Sequence, residues 1–309
     1  MVDSKQQWKA WVYLAPALVL LLIFTVWPII NTLRMAFLEG YNRMAEIGGA
    51  TFSFGFGNFV KVIEYKNFLS ALKNTVLLCL ITVPISTILA LLIAVCLNAI
   101  RPLRRFLQTI FFLPYVTNSI ALGMVFAAMF NIVGTINEPK TLGIINNVIE
   151  FLGFNAVDWI NASSTYTSNM IVMVVYIVWN ALPFKILILL GGLQSVNKQY
   201  YEAAKVDGTS RVRVFTRITV PLLSPMIAYV VITGFIGGFK EYSSIVGIFG
   251  EKMGPASDPG RLNTMVGYIY DELPKSRQGL ASAAALILFG IILIVTLINL
   301  YVSKKKTHY

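Results

Sequence analysis

Long apolar segments are the feature that most limits what this chain can fold into. Six of them approach or exceed the ~20 residues that a helix needs to cross a bilayer. Only 13% of the 309 residues are charged, whereas soluble proteins carry roughly a quarter. A transmembrane β-barrel would instead show short alternating segments. The sequence therefore predicts one all-α transmembrane domain, residues 1–309, whose six transmembrane helices are Trp11–Met35, Leu72–Ala99, Leu107–Val133, Ser168–Gly191, Leu222–Phe239 and Leu280–Val302.

The orientation of the spans follows from the basic residues near their ends. Lys and Arg are dense in the N-terminal segment, in the turn at 100–106, in the segment around residue 200 and at Lys304–Lys306. The three longer loops, roughly 35–65, 134–167 and 240–278, carry most of the acidic residues. Because short basic segments stay on the cytoplasmic side, we expect both termini inside the cell (N-in and C-in).

Composition argues against several other classes of function. The net charge of +11 could indicate nucleic-acid binding, but these basic residues flank apolar spans, so we expect contact with membrane lipid and none with nucleic acid. Cys79 and Cys96 fall in one apolar run and His308 is the only histidine, so no metal site is expected. The chain has no GxxxxGK[ST] stretch, so we expect no bound cofactor, no catalytic residues and no nucleotide hydrolysis by this chain.

One outer loop has a helical pattern. Apolar residues recur at helical spacing in Gly143–Phe154, which reads GIINNVIEFLGF. Two interpretations remain open, an interfacial helix and a solvated loop.

A polar segment between the fourth and fifth spans predicts a helix–turn–helix elbow, at about 192–221. Ser195 or Asn197 can cap a first helix of two turns, and Gly208 follows it where a helix end needs left-handed backbone. Ser210 can cap a second helix, which Pro221 is expected to end. The alternative is a basic interfacial loop held on anionic lipid.

The first helix of this elbow has the properties of a docking surface. Ala203 and Ala204 carry little bulk, so a partner could approach closely, and Glu202 supplies one charge that a partner could pair. The order of Glu-Ala-Ala, three residues, Gly, and then Ile-x-x-Pro is more specific than lipid binding requires. We therefore prefer partner docking.

The same residues resemble the EAA loop of permease subunits of binding-protein-dependent ABC importers. That family's pattern is E-A-A-x-x-x-G, nine residues, then I-x-L-P. The matching residues are Glu202, Ala203, Ala204, Gly208, Ile218 and Pro221, with Val220 in place of Leu. The stretches YLAPALVLLLIFTVWPI, FFLPYV and GLQSV are similar to the carbohydrate branch, which includes maltose, oligosaccharide and glycerol-phosphate permeases.

The resemblance implies a heteromeric complex in the bacterial cytoplasmic membrane. A second permease subunit would pair with this chain, two cytoplasmic ATPase subunits would bind ATP and Mg²⁺, and an extracytoplasmic solute-binding protein would deliver a sugar, by family frequency an oligosaccharide. The EAA helix would sit in a cleft of the ATPase and carry its motion to the spans. The predicted coupling residues are Tyr201, Glu202, Ala203, Ala204, Asp207, Gly208 and Pro221.

Polar residues within or beside the spans are candidates for the substrate pathway, because polar groups in membranes tend to face the bundle interior. The candidates are Thr117, Asn118, Asn131, Asn180, Lys185, Glu241 and Tyr242. Each has an alternative: Thr can bond its own helix, Asn can join helices, and Lys185 can snorkel to the cytoplasmic interface. An ion-coupled secondary transporter or channel is the alternative function. It would need ionisable residues deep in the spans, and the middle thirds of the predicted spans contain none.

Overall fold

The computed structural model describes residues 7–100, 104–134 and 139–306, so His308 lies outside the described residues. The described chain is mostly helical. Its elements are α1 (Gln7–Leu21), π1 (Leu22–Val26), α2 (Trp27–Phe37), α3 (Arg43–Ile47), α4 (Gly57–Glu64), α5 (Lys66–Ala99), α6 (Arg104–Val116), α7 (Ser119–Phe130), β1 (Ile132–Gly134), β2 (Pro139–Leu142), α8 (Ile144–Phe151), α9 (Tyr166–Ser195), α10 (Gln199–Val206), α11 (Arg211–Val214), π2 (Phe215–Thr219), α12 (Val220–Leu222), α13 (Ser224–Phe239), α14 (Ser243–Phe249), α15 (Met265–Glu272) and α16 (Gln278–Lys306).

Four described helical stretches are long and apolar enough to cross a membrane, and two bent pairs raise the number of candidate spans to as many as six. The four are Trp8–Phe37, α5, α9 and Gln278–Lys305. Each of these stretches contains a predicted span and extends beyond it by up to two turns in total. The prediction of several apolar membrane helices is confirmed in this form.

The predicted third span is wrong as a continuous helix. It breaks between α6 and α7, whose axes differ by 99°. Asn118 causes a local restart, because its backbone is extended and its Oδ1 accepts hydrogen bonds from the N–H groups of Ile120 (2.8 Å) and Ala121 (3.3 Å). Beyond α7 the chain forms an antiparallel pair, β1 and β2, in which Ile132 lies opposite Leu142. The all-α expectation therefore missed this small sheet.

The second elbow helix ends within one residue of the predicted end at Pro221. The helix continues to Leu222 and bends by 68° into α13. Both π-turns end two residues before a proline, at Val26 before Pro28 and at Thr219 before Pro221. Each proline thus lies in the first turn of the following α-segment, where its missing N–H is tolerated.

The backbone groups into two compact units, and the single-domain organisation stays a prediction. The first unit comprises Met1–Leu69 and Tyr268–Phe289. In its core, the buried Asn58 side chain donates to the carbonyls of Ala36 (3.0 Å) and Leu38 (2.7 Å). Hydrogen bonds from Tyr41 and then Arg34 hold the pKa of the Glu46 carboxyl below its ordinary value.

The second unit comprises Ser70–Gly267 and Gly290–Tyr309. One of its apolar clusters surrounds the fully buried Tyr176, and a second surrounds Leu189 and Leu190. The loop predicted to be either helical or solvated is helix α8. Its buried Asn146 donates to Val157 O (3.0 Å) and accepts from the Trp159 indole N–H (3.0 Å).

Candidate functional site

The elbow between α9 and α13 has the predicted local structure. Asn197 Oδ1 accepts from the N–H of Gln199 (3.0 Å), where α10 begins. Gly208 ends the turn after α10 with a φ of +62°, a conformation that glycine adopts without a Cβ penalty. Ser210 precedes α11 but makes no capping hydrogen bond through its side chain. The two-helix elbow is therefore present, held by Asn197 and Gly208 rather than by Ser210.

The two alanines of the elbow differ in exposure. Ala204 is 5% exposed and packs against its own chain, whereas Glu202, Ala203 and Asp207 are exposed. The Tyr201 hydroxyl lies 3.4 Å from Thr219 Oγ1 and so links α10 to π2. The free surface of α10 is therefore the one that carries Glu202 and Ala203.

A second feature is a cavity of about 290 Å³ in the second unit. Its walls come from α5, α6, α9, α13 and the residues just after α13. It brings together three of the predicted pathway residues, Asn180, Lys185 and Glu241, with Thr82, Ser86 and Thr233 beside them. These positions are far apart in sequence, so only packing of the helices makes them neighbours.

The other four pathway candidates lie outside this lining. Thr117 Oγ1 donates to Leu113 O (3.0 Å), which is the predicted alternative of bonding within its own helix. Asn118 caps α7, the Asn131 carbonyl accepts from Gly143 N (2.8 Å), and Tyr242 precedes α14. Any role of these four residues in transport stays a prediction.

Lys185 is held inside the protein and does not snorkel. It is 4% exposed. Its Nζ donates to Ser86 Oγ (2.7 Å), Thr87 Oγ1 (2.9 Å) and Val83 O (3.2 Å), all on α5. The snorkelling alternative is therefore wrong, because the ammonium finds its acceptors on a neighbouring helix instead of at an interface.

Glu241 connects the end of α13 to the start of α14. Its Oε1 accepts from the N–H groups of Tyr242 (3.2 Å) and Ser244 (3.1 Å). Its backbone carbonyl accepts from Thr264 Oγ1 (2.8 Å). Glu241 therefore links the cavity wall to the first N–H groups at the start of α14.

The aromatic part of the cavity wall was not among the residues predicted from the sequence. Tyr115 of α6 and Phe184 of α9 stack with their ring centroids 5.7 Å apart and their planes 20° apart. The residues predicted to line the pathway were chosen for their polar groups alone, and this pair stacks through its rings. Each aromatic residue directly follows a proline within a predicted span, Tyr115 after Pro114 and Phe184 after Pro183. This shared position is the signal that could have found the pair.

Comparison with known proteins identifies the family. Residues 83–308, which include the elbow and most of the cavity lining, match the family described as "Binding-protein-dependent transport system inner membrane component". The chain belongs to this family. The predicted permease of a binding-protein-dependent ABC importer is thereby confirmed, and the permease is a transport component, not an enzyme.

Relatives cover nearly the whole permease. The arabinooligosaccharides transport system permease protein AraP of Bacillus subtilis is 30% identical over 302 residues, 95% of this chain and 88% of the relative. The lactose transport system permease protein LacF of Rhizobium radiobacter is 28% identical over 304 residues, 96% and 95% of the two chains. A solved bacterial alginate ABC transporter, in complex with an alginate pentasaccharide-bound periplasmic protein, shares the fold: its TM-score is 0.78 at 23% identity, with 99% and 97% covered.

Proposed function

We propose that this permease forms half of the translocation pathway of an ATP-driven importer for a sugar, in particular an oligosaccharide. The observation that carries the proposal is the cavity with Asn180 and the stacked Tyr115–Phe184 pair on its wall. Sugars offer hydroxyls to amides and apolar ring faces to aromatic side chains. The names of AraP and LacF, which refer to arabinooligosaccharides and lactose, support this class of cargo.

The topology that we propose has six spans with both termini in the cytoplasm. The two bent pairs, α6 with α7 and α11–α12 with α13, each count as one span in this scheme. The elbow then lies in the cytoplasm, in agreement with its basic composition. The membrane would be the bacterial cytoplasmic membrane, and the loops on the other side would meet the solute-binding protein.

The partners follow from this arrangement. A second permease subunit would complete the pathway, and two ATPase subunits would hold ATP and Mg²⁺, so this chain would bind no cofactor. The exposed face of α10 would enter the ATPase cleft with Glu202, Ala203 and the following Asp207. Tyr201, Ala204, Gly208 and Pro221 would complete the coupling element by shaping the elbow behind that face. The periplasmic partner of the solved alginate transporter supports a binding protein as the donor of cargo.

Uptake by purified subunits in vesicles tests the proposal. The probes are radiolabelled arabinooligosaccharides, lactose and maltose, each with a binding protein present. We expect uptake only when the second permease and the ATPases are included, and no uptake when the ATPase carries an inactivated P-loop lysine. Uptake by this chain alone, driven by a Na⁺ or H⁺ gradient, would instead establish the ion-coupled alternative.

A further inference from the structure

Lys185 carries a charge that no described carboxylate neutralises. It is 4% exposed, and none of the ion pairs among the described residues includes it. A buried charge within a membrane span is costly, and such residues usually have a functional reason. An apolar residue at this position would avoid the free-energy cost of burying a charge in the cavity wall.

The hydrogen-bonding capacity of the Lys185 ammonium group is fully used within the protein. Its three acceptors, Val83 O, Ser86 Oγ and Thr87 Oγ1, lie on about one turn of α5. Each hydroxyl donates its own proton within α5, from Ser86 to Thr82 O (2.5 Å) and from Thr87 to Val83 O (2.7 Å). The lone pairs are thereby left for Lys185, and an ammonium has three protons. Lys185 therefore has no donor left for a cargo molecule.

A third helix, α13, meets the other two at this point. A Cβ on Gly234 would lie 3.2 Å from Lys185 Nζ and 3.1 Å from Val83 Cγ1. One turn further along, a Cβ on Gly238 would lie 2.8 Å from Cys79 Sγ. The absence of side chains on these glycines allows α13 to pack where Lys185 bridges α9 and α5.

The elbow is attached to two of these three helices. α9 ends at Ser195, shortly before α10 begins at Gln199, and the far end of the elbow runs through α12 into α13. Near the elbow, α9 and α13 contact each other, since a Cβ on Gly192 would lie 2.8 Å from Met226 Cγ. Displacement of the elbow would therefore act first on α9 and α13.

We propose that Lys185 is a positioning residue that ties α9 to α5 beside α13, so that the three helices move as one wall of the cavity when the elbow is displaced. The inference rests on the proposed function, because it assigns Lys185 to the coupling of elbow motion to the pathway. Lys185 acts through the acceptors on α5 and does not touch the cargo.

The test compares Lys185→Met with a change on the acceptor side, Ser86→Ala with Thr87→Val. The first removes all three hydrogen bonds to α5 and the second removes the two to hydroxyl groups. The second also keeps the lysine in case the first assembles poorly. Lys66→Met, an exposed lysine at the start of α5, is the matched control, and Thr87→Ser keeps an acceptor hydroxyl. The readout is the amount of sugar imported per ATP hydrolysed by the whole complex in vesicles, together with its melting temperature.

We expect both tie variants to lower sugar imported per ATP by about fivefold, as the loss of a charge-assisted hydrogen-bond set allows, while ATP hydrolysis continues. The combined variant should be no worse than either alone, because both remove one interaction. Lys66→Met and Thr87→Ser should behave as wild type. Unchanged import per ATP in both tie variants, or effects that multiply, would overturn the proposal. Absence of ATP-driven uptake by the wild-type complex would contradict the proposed function itself.

Discussion

The backbones of Gly123 in α7 and Gly247 in α14 are in contact. A Cβ on Gly123 would lie 2.7 Å from Gly247 Cα, and a Cβ on Gly247 would lie 2.9 Å from Ile120 O. Distances under 3 Å to backbone atoms cannot be relieved by turning a side chain. This crossing fixes α14 against the second half of the broken span, and Glu241 lies in the short connection between α13 and α14.

We therefore expect Gly123→Ala to destabilise the protein. Overpacking costs ~1–3 kcal/mol, which exceeds the gain of about 1 kcal/mol from a better helix former. Gly290→Ala in α16 is the control, because a Cβ there meets nothing within 4 Å. Thermal unfolding of the purified protein in detergent checks both changes. Equal or higher melting temperatures for Gly123→Ala than for Gly290→Ala would contradict the observed contact.

The contact of α13 with α5 gives a prediction with a built-in rescue. Gly238→Ala should lower the melting temperature, because the new Cβ would lie 2.8 Å from Cys79 Sγ. Removing that sulfur with Cys79→Ala should restore most of the loss. Gly237→Ala, one residue earlier and open to space, should be neutral or stabilising by about 1 kcal/mol. If the double variant is no more stable than Gly238→Ala alone, the clash is not with Cys79.

The different exposure of the two elbow alanines allows docking and folding to be tested separately. Ala204→Leu should reduce the melting temperature of the chain, since Ala204 is 5% exposed and extra methylenes in a packed site cost ~1–3 kcal/mol. Ala203→Leu should leave the chain as stable as wild type, because Ala203 is exposed. It should still weaken co-purification of the ATPase. The reverse pattern would place the docking face on the other side of α10.

Glu202 is exposed on the proposed docking face. A partly shielded charge pair there could contribute ~1–3 kcal/mol to ATPase binding. Glu202→Lys should leave membrane insertion intact and reduce both ATPase co-purification and substrate-stimulated ATP hydrolysis. A matching charge reversal on the ATPase should partly restore both co-purification and ATP hydrolysis.

The charge reversal on the ATPase should not restore Gly208→Val, because that substitution disturbs the backbone conformation of the elbow and not a charge pair. Gly208 has a φ of +62° with no atom near its missing Cβ, so a β-branched residue is opposed by the backbone alone. Wild-type assembly and transport by both variants would show that the elbow is not the coupling element.

Asn118 and Asn180 should respond differently to the same substitution. Asn118→Leu removes the cap of α7 and should cost about 1 kcal/mol of stability, which Asn118→Ser should largely restore because Ser is also a good cap. Asn180 lines the cavity and its Nδ2 lies 3.5 Å from Ser119 Oγ, a weak contact at most. Asn180→Leu should therefore lower sugar transport more than melting temperature. Normal transport by Asn180→Leu would remove it from the pathway.

The sequence predicted best those features that depend on neighbours along the chain. The elbow at about 192–221 was readable because the hydrogen bond of Asn197 to Gln199 and the positive φ of Gly208 are local. The apolar spans could be predicted because they depend only on the length of an apolar run. The break at Asn118 was missed, since the same asparagine in an apolar run could equally have stayed helical.

By itself, then, the sequence determined a membrane protein of several apolar helices, a polar elbow at about 192–221 and its family. Only the tertiary structure decided which polar residues share a cavity and which groups Lys185 contacts. Lys185 and its acceptors are 98 to 102 residues apart, and Tyr115 meets Phe184 across two helices. Such neighbours depend on the rotation and packing of whole helices. The absence of a Cβ on Gly123, Gly234 and Gly238 permits this packing, and no local pattern of residues encodes that rotation.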